Sequence, residues 1–406
     1  MVITILFILF LVLFVYWALS VIYLLLLSVW GRCFYRQLPF PPASLADVPY
    51  NRIAVLVPSF KEDGIILSTA QNLLELDYPA TSYGIYIIAD SLQEETLRQL
   101  RALPIHVVEV SFTKSTKTKS LNEAFSRITA EYDVALICDA DNMLASDFLQ
   151  KINYAFVRGA RAVQGRRVAK NLDTSFAILD ACSEGINNNI FRKGTYAMGL
   201  SSAVIGSGMA FEYGTIKAIL GEIQAVGGFD KILQLKVVEQ GNRIHYLENA
   251  LIFDEKVDSS HAFQQQRTRW VSSQFIYLRR FFVPACRHLL KGQISYFNLA
   301  VVNNLVLPRA FLMAGGPVMV VAGWLFGPFW GELSLAVLLG YGLALLLALP
   351  RDLINKDLFR AVLSLPRAIW NMVGALFQLK KAKQQFIHTV HTKTEVTNPA
   401  FKNRNK

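Results

Sequence analysis

The first thirty residues of the chain carry no charged side chain and are almost wholly apolar. A helix of that length runs about 45 Å, more than the roughly 30 Å hydrocarbon core of a bilayer. The run is too long for a signal-peptide core and has no basic segment before it, so it predicts a transmembrane helix rather than a cleaved leader. Tyr16, Trp17, Tyr23 and Trp30 are candidate interface anchors, and Arg32 and Arg36 follow directly. The positive-inside rule then places the N-terminus outside and the following chain in the cytoplasm. Two further charge-free runs, 310–330 and 333–350, lie near the C-terminus, joined by a Gly-Pro-Phe-Trp-Gly-Glu turn at 327–332. They predict a helical hairpin whose ends return to the cytoplasm at Arg351 and Lys356. The run 358–379 is interrupted by Arg360, Pro366 and Arg367, and 279–297 mixes basic and aromatic residues. Both are expected to lie on the membrane face rather than cross it. The last dozen residues are expected to form a loose tail.

Residues 50–270 have a different pattern. Short apolar runs at 53–57, 85–89, 106–110 and 134–138 alternate with helical patterns at 65–76, 94–103 and 118–128. Strand-helix alternation with fully apolar strands predicts an α/β fold with a mostly parallel sheet covered on both faces. Ligands bind such sheets at the carboxyl ends of the strands. Polar residues collect there: Ser59, Lys61 and Glu62; Asp90 and Ser91; Asp139, Asp141 and Asn142. Neither GxGxxG nor GxxxxGK[ST] occurs, so the usual dinucleotide and P-loop phosphate cradles are excluded. The expected organisation is an N-terminal transmembrane helix and linker (1–45), a cytoplasmic domain (46–272), and interfacial helices, a transmembrane hairpin (310–350) and a basic cytoplasmic tail (273–406).

Composition sharpens this picture. Of 406 residues, 53% are hydrophobic and 17% charged, which excludes a largely disordered chain. The net charge of +11 would suit nucleic acid, anionic lipid or a phosphorylated substrate. Basic segments flanking the membrane runs account for much of it, and no nucleic-acid recognition motif is present. The four cysteines are scattered, with no CxxC pair to suggest a zinc site or a disulfide framework.

The sharpest chemical signal is Asp139-Ala140-Asp141, directly after an apolar strand. Two carboxylates one residue apart can turn toward one ion, and few hard oxygen ligands suit Mg²⁺ or Mn²⁺ with phosphate oxygens completing the shell. Taken alone, such a pair is more often a solvated turn; its place at a strand end favours chemistry. Asp90 could equally cap the next helix. Lys114, Lys117 and Lys119 form a cluster that is ordinarily a solvated face but could meet a diphosphate as point charges. Gln266, Arg269 and Trp270 could be a membrane-interface set, or could stack on a sugar and bind pyrophosphate.

Taken in order, these pieces resemble the membrane-integrated family 2 glycosyltransferases, which include cellulose, hyaluronan and chitin-oligosaccharide synthases. Pro58 to Glu62 resembles the opening nucleotide-binding loop, and Asp90 matches the aspartate that contacts uracil. Lys117 to Asn122 resembles the Lys-x-x-x-Leu-Asn element, and Asp139 with Asp141 the metal-binding DxD. Residues 206–211 (Gly-Ser-Gly-Met-Ala-Phe) resemble the acceptor-side loop, and Gln266, Arg269 and Trp270 the QxxRW of processive members. The resemblance implies a GT-A-type nucleotide-sugar-binding domain with α-helical membrane segments. One departure concerns the family's Thr-Glu-Asp, whose Asp is the general base. The corresponding place is Gly228-Phe229-Asp230, so the Glu is replaced by Phe while Asp230 is kept. Asp230 could also be a helix cap, and Glu239 is then the fallback base.

The resemblance implies inverting, metal-dependent transfer from a nucleoside diphosphate sugar, a UDP-sugar above all, to a growing polysaccharide or oligosaccharide. Asp230 would act as base; Glu62, Asp90, Lys117, Asp139, Gln266, Arg269 and Trp270 would bind substrate; Asp139 and Asp141 would hold Mg²⁺ or Mn²⁺. Two alternatives stay open: a non-processive transferase acting on a lipid-linked acceptor, and a catalytically silent nucleotide-sugar-binding subunit. Three spanning helices are few for a self-contained export channel, which leaves a homo-oligomer or an export partner open. The expected location is the cell's inner (plasma) membrane, multi-pass, in contact with membrane lipid and with no nucleic-acid partner.

Overall fold

A computed structural model of the chain describes residues 1–38, 48–223, 228–256, 260–363, 366 and 391–402, with side chains left undescribed at 260–269 and 402. The chain divides into two compact units that do not follow sequence order. A helical unit takes Met1–Tyr35, Thr174–Leu200 and Asp258–Gln384, and a sheet unit takes Arg36–Asp173, Ser201–Val257 and Gln385–Lys406.

The sheet unit holds eight strands: β1 (Ile53–Phe60), β2 (Tyr83–Asp90), β3 (His106–Val110), β4 (Val134–Ile137), β5 (Met143–Leu144), β6 (Ala162–Ala169), β7 (Met209–Glu212) and β8 (Ile244–Asp254). Their order across the sheet is β3-β2-β1-β4-β7-β6-β8-β5. The pairs β1–β2, β2–β3, β1–β4 and β6–β8 are parallel, whereas β7 runs antiparallel to both its neighbours. The expected mostly parallel α/β sheet is therefore present. Ile53, Val55, Val57, Leu136, Leu144, Phe148 and Ile152 belong to one buried core. Full burial of each such side chain contributes roughly 1.5–3 kcal/mol. Because β1, β2 and β4 are parallel, their carboxyl ends share one edge. The connection reverses at β1, between β2 and β4, and such a switch point opens a crevice there.

In the helical unit, Val2–Val29 runs as one helix into a π-helical turn, Trp30–Phe34. Phe10, Phe14, Trp17, Val21, Leu24 and Leu27 are buried, while Ile3, Ile8, Val12, Leu19 and Ile22 are exposed apolar side chains of the kind lipid would cover. The helices Arg309–Leu325 and Pro328–Ala348 meet through glycines: a Cβ on Gly331 would lie 2.4 Å from the Trp324 ring. Residues of the Ser175–Asn187 helix and the π-helical stretch Asn188–Gly194 join this unit, and a Cβ on Gly194 would lie 2.2 Å from the Leu27 carbonyl oxygen. Placing 174–200 here differs from the expected single block at 46–272. The segment buries its apolar side against the first helix, which its mixed composition does not reveal.

Among the described residues two helices are long and apolar enough to cross a membrane, Val2–Phe34 and Pro328–Ala348. A third span requires the pair Ile294–Leu305 and Arg309–Leu325 to count as one, bent by 59°. The helix in the expected 310–330 span has 17 residues and is about 26 Å long, at the short end of the lengths that cross a bilayer. The segment 279–297 is not one interfacial helix; the helix Ser260–Leu290 ends first, and Ile294–Phe297 begins a separate turn. Most of 358–379 lies outside the described residues. The expected loose tail is ordered over 391–402: Val396 packs with Met143, Leu251 and Phe253, and the Asn398 side chain donates to the Ala169 carbonyl at 2.7 Å.

Candidate active site

The strand ends at the β1/β2/β4 edge are built on unusual backbone. Lys61 and Ser91 have φ of 57° and 59°, a left-handed conformation that costs a non-glycine residue about 1–2 kcal/mol. Such strain clusters where a loop must present side chains in one direction. The Lys61 amide donates to the Asp90 carbonyl at 3.1 Å, tying the two loops together. Asp90 is almost fully buried, and its carboxylate accepts hydrogen bonds from the hydroxyls of Ser91 (3.0 Å) and Ser115.

After β4 the chain turns through Asp139, Asp141 and Asn142. Lys117, in the first turn of the helix Lys117–Arg127, points its ammonium at the Asp139 carboxylate and donates to the Gly206 carbonyl at 2.7 Å. Thr116 caps that helix by accepting from the Lys119 amide. Asp230 is on the same side: its Cβ lies 4.0 Å from where a Cβ on Gly206 would stand. Gly228, at φ 65°, is the N-cap of the helix Phe229–Glu239, so Asp230 stands in the first turn rather than at the cap. Burial pushes its carboxyl above the ordinary range, against the opposing charges of Lys231 and Lys117. Glu239 is exposed at the other end of this helix, about 14 Å along the axis, and does not join the group.

The structure thus brings together Glu62, Asp90, Lys117, Asp139, Asp141 and Asp230 within one unit. It adds a residue that the sequence pattern did not suggest. His391, beyond the apolar helices in sequence, receives or donates a 3.0 Å hydrogen bond at Glu62 and sets Nε2 3.8 Å from Asp141 Oδ2. Burial depresses the imidazolium, but the Asp141 charge and the Glu62 hydrogen bond outweigh it and raise His391 to about 10. Gln164 on β6 is also new: its amide donates to the Ser207 and Gly208 carbonyls at 3.0 and 3.2 Å and its oxygen accepts from the Ile205 amide, fixing the glycine-rich loop. No local motif marks either residue. The side chains of Gln266 and Arg269 lie outside the described residues, and Trp270 is an exposed residue of the Ser260–Leu290 helix in the helical unit.

Among the described residues no group of three or more His, Cys, Asp or Glu is arranged to hold a metal on its own. The donors nevertheless fit a hard divalent cation. Burial, joined by the neighbouring Asp254 and Asp139 charges, pushes the Asp141 carboxyl up to about 7 against the opposing charges of His391 and Lys170. Mg²⁺ and Mn²⁺ need only one or two such carboxylates when substrate phosphates complete the shell.

This sheet, with its DxD turn at the switch point, defines a GT-A-type α/β fold. Residues 49–273, more than half of the chain, match the "Glycosyltransferase like family 2" family, to which the chain belongs. A beta-monoglucosyldiacylglycerol synthase of Synechocystis is 23% identical over 296 residues, covering 70% of this chain and 60% of that protein. An N-acetylglucosaminyltransferase of Rhizobium leguminosarum is 25% identical and covers 58% of each chain. The chain thus spans about three fifths of the length of these relatives. A solved mannosyltransferase of Pyrobaculum calidifontis, in complex with GDP-Man and Mn²⁺, has the same fold, with a TM-score of 0.56, 18% identity and coverage of 91% and 97% of the two chains.

Proposed function

We propose that the protein is an inverting glycosyltransferase that moves a sugar from a nucleoside diphosphate sugar to an acceptor hydroxyl at a membrane. The observation that carries this reading is the convergence of Lys117, Asp139 and Asp230 around the Gly206 loop, with Asp141 in the same turn. Asp139 and Asp141 would hold Mg²⁺ or Mn²⁺, whose charge offsets the negative charge growing on the leaving diphosphate. The Lys117 ammonium adds a second positive charge aimed at the same place. Asp90 and the β1–β2 loops bind the nucleoside end, as the resemblance implies. Asp230 takes the proton of the acceptor hydroxyl while its oxygen bonds to the anomeric carbon and the bond from that carbon to the diphosphate breaks. Attack from the face opposite the leaving group inverts the configuration. The raised Asp230 carboxyl is the stronger base for it.

A glycerolipid or other lipid-linked hydroxyl is the acceptor we favour. Apolar helices belong to the same chain, and a relative bears the name of a glucosyldiacylglycerol synthase. A growing polysaccharide is the second reading, favoured by Gln266, Arg269 and Trp270 at the spacing of processive members. We infer a multi-pass inner-membrane protein with its sheet unit in the cytoplasm, supported by Arg32, Arg36, Arg351 and Lys356 beside the apolar runs.

The test is a donor screen on detergent-purified protein. UDP- and GDP-sugars are offered with Mn²⁺ or Mg²⁺ and with diacylglycerol, a polyprenyl phosphate or an oligosaccharide. Release of nucleoside diphosphate coupled to a glycosylated acceptor is expected. Absence of donor turnover with every combination, in protein that binds UDP, would leave a binding subunit instead.

A further inference from the structure

The DxD turn is held from behind by a chain of buried side chains whose polarity runs one way. The Asp139 amide donates to Ser207 Oγ at 2.9 Å. The Ser207 hydroxyl has one hydrogen, and it goes to Asn142 Oδ1. With its oxygen thus engaged, Asn142 turns its amide nitrogen outward and donates to Asp141 Oδ1 and to Asp254 Oδ1, each at 3.1 Å. Asp254 Oδ2 accepts from the Lys256 ammonium at 2.7 Å, which closes the chain on a charge. Asn142 and Ser207 are 0% exposed, and the bonds from Ser207 to Asn142 and from Asn142 to Asp141 are buried. Breaking either of these leaves a polar atom unsatisfied in the interior.

We propose that Asn142 and Ser207 are positioning residues that set the direction of the DxD carboxylates, with Asp254 as their anchor. The inference rests on the reading of Asp139 and Asp141 as metal ligands. By holding Asp141 Oδ1, Asn142 fixes the carboxylate with Oδ2 on the side of His391, 3.8 Å from Nε2. By taking the Asp139 amide, Ser207 fixes the backbone from which the first carboxylate projects. Ser207 also belongs to the loop whose Gly206 carbonyl receives Lys117, so the turn that meets the donor and the loop beside Asp230 are tied by one hydroxyl. Partners of this kind typically govern metal affinity by 10–100-fold without touching the ion.

The substitutions Ser207→Ala and Asn142→Asp test it. The first removes one oxygen; the second keeps the shape and replaces the donating amide with a third carboxylate facing Asp141 and Asp254. Mn²⁺ binding is titrated in the presence of UDP by the loss of the free-ion resonance signal. Thermal unfolding is followed in parallel, and kcat and KM are measured at saturating Mn²⁺. In folded protein, Mn²⁺ affinity is expected to fall about 10–100-fold in both variants. Added Mn²⁺ should restore much of the turnover, because the ligands themselves remain. Should either variant fail to fold, Asp254→Asn weakens the anchor at constant size and is expected to lower Mn²⁺ affinity in the same sense. Wild-type Mn²⁺ affinity in folded variants would overturn the proposal. Failure of the wild-type protein to bind Mn²⁺ with UDP would overturn instead the metal reading beneath it.

Discussion

The Lys117 ammonium lies over the face of the Phe229 ring, 5.4 Å from its centroid. Phe229 occupies the place where the resembling family has an acidic residue, and it still meets a cation there. A ring face attracts an ammonium by roughly 0.5–2 kcal/mol without claiming its charge. Lys117 therefore keeps its full charge for Asp139, the Gly206 carbonyl and an incoming diphosphate. Lys117→Met should reduce kcat/KM for the donor by about 10–100-fold, the weight of one charge-assisted hydrogen bond. Phe229→Leu should cost much less. Steady-state kinetics over a donor series decide it, and equal losses in the two variants would contradict the role given to the ammonium.

Asp139→Asn combined with Asp141→Asn should abolish metal-dependent donor binding while the sheet unit stays folded. Both side chains sit at a turn whose backbone is held by β4 and by Ser207. Titration of UDP with and without Mn²⁺ checks this, and an unchanged Mn²⁺ effect would remove the metal site from the DxD turn.

Asp230→Asn should lower turnover by about 10²-fold or more, the usual general-base contribution, with donor affinity little changed. The raised carboxyl also fixes the pH profile: the acidic limb of kcat/KM should lie above the ordinary aspartate value near 3.9. A carboxyl raised on folding favours the folded state at low pH, and that contribution is lost as pH rises through the shifted value. Asn at this position should therefore leave the thermal midpoint at neutral pH unchanged or slightly higher. Near-normal turnover would show that the first-turn carboxylate serves the helix alone.

Phe401→Ala should lower the stability of the sheet unit by about 1 kcal/mol, since the ring packs edge-on against Phe253 at 5.1 Å. His391→Ala removes the hydrogen bond to Glu62 and the contact with Asp141, and should weaken donor binding more than it lowers the melting temperature. Melting curves and UDP titrations separate the two effects.

Gln99 is exposed on the helix Glu94–Arg101. In intact cells, Gln99→Cys should add no labelling by a membrane-impermeant thiol reagent beyond that of the parent chain, which already has the exposed Cys33. Added labelling would reverse the proposed topology.

The pattern reading located β1 to β4 and the helices between them, because β1, β2 and β4 are largely buried and read as continuous apolar runs, and the edge strand β3 keeps Val107, Val108 and Val110. It passed over β6 and β8, whose Gln164, Arg166, Arg167, His245 and Glu248 interrupt the apolar signal although the strands lie inside the sheet. Asp90, Asp139 and Asp141 were legible because strand ends have a simple rule. Gln164, Ser207 and Asn142 act through hydrogen bonds between segments far apart in sequence, and such pairings leave no local trace. His391 is separated from its partner Asp141 by 250 residues that include the C-terminal apolar helices, so no spacing argument could reach it.

The ordering of residues 391–402 in the sheet unit has a consequence for how the protein is made. Val396 and Phe401 cover Met143, Leu251 and Phe253, and His391 reaches Glu62. Translation delivers the sheet long before it delivers this cover. Throughout synthesis of the later apolar helices, the β5–β8 end of the sheet waits with its hydrophobic patch open to solvent. Domains ordinarily fold as they emerge from the ribosome, and exposed apolar surface in such an interval invites aggregation or a chaperone. A nonsense mutation between residues 350 and 391 would therefore yield a chain with every strand present but with a bare sheet end and no imidazole at Glu62.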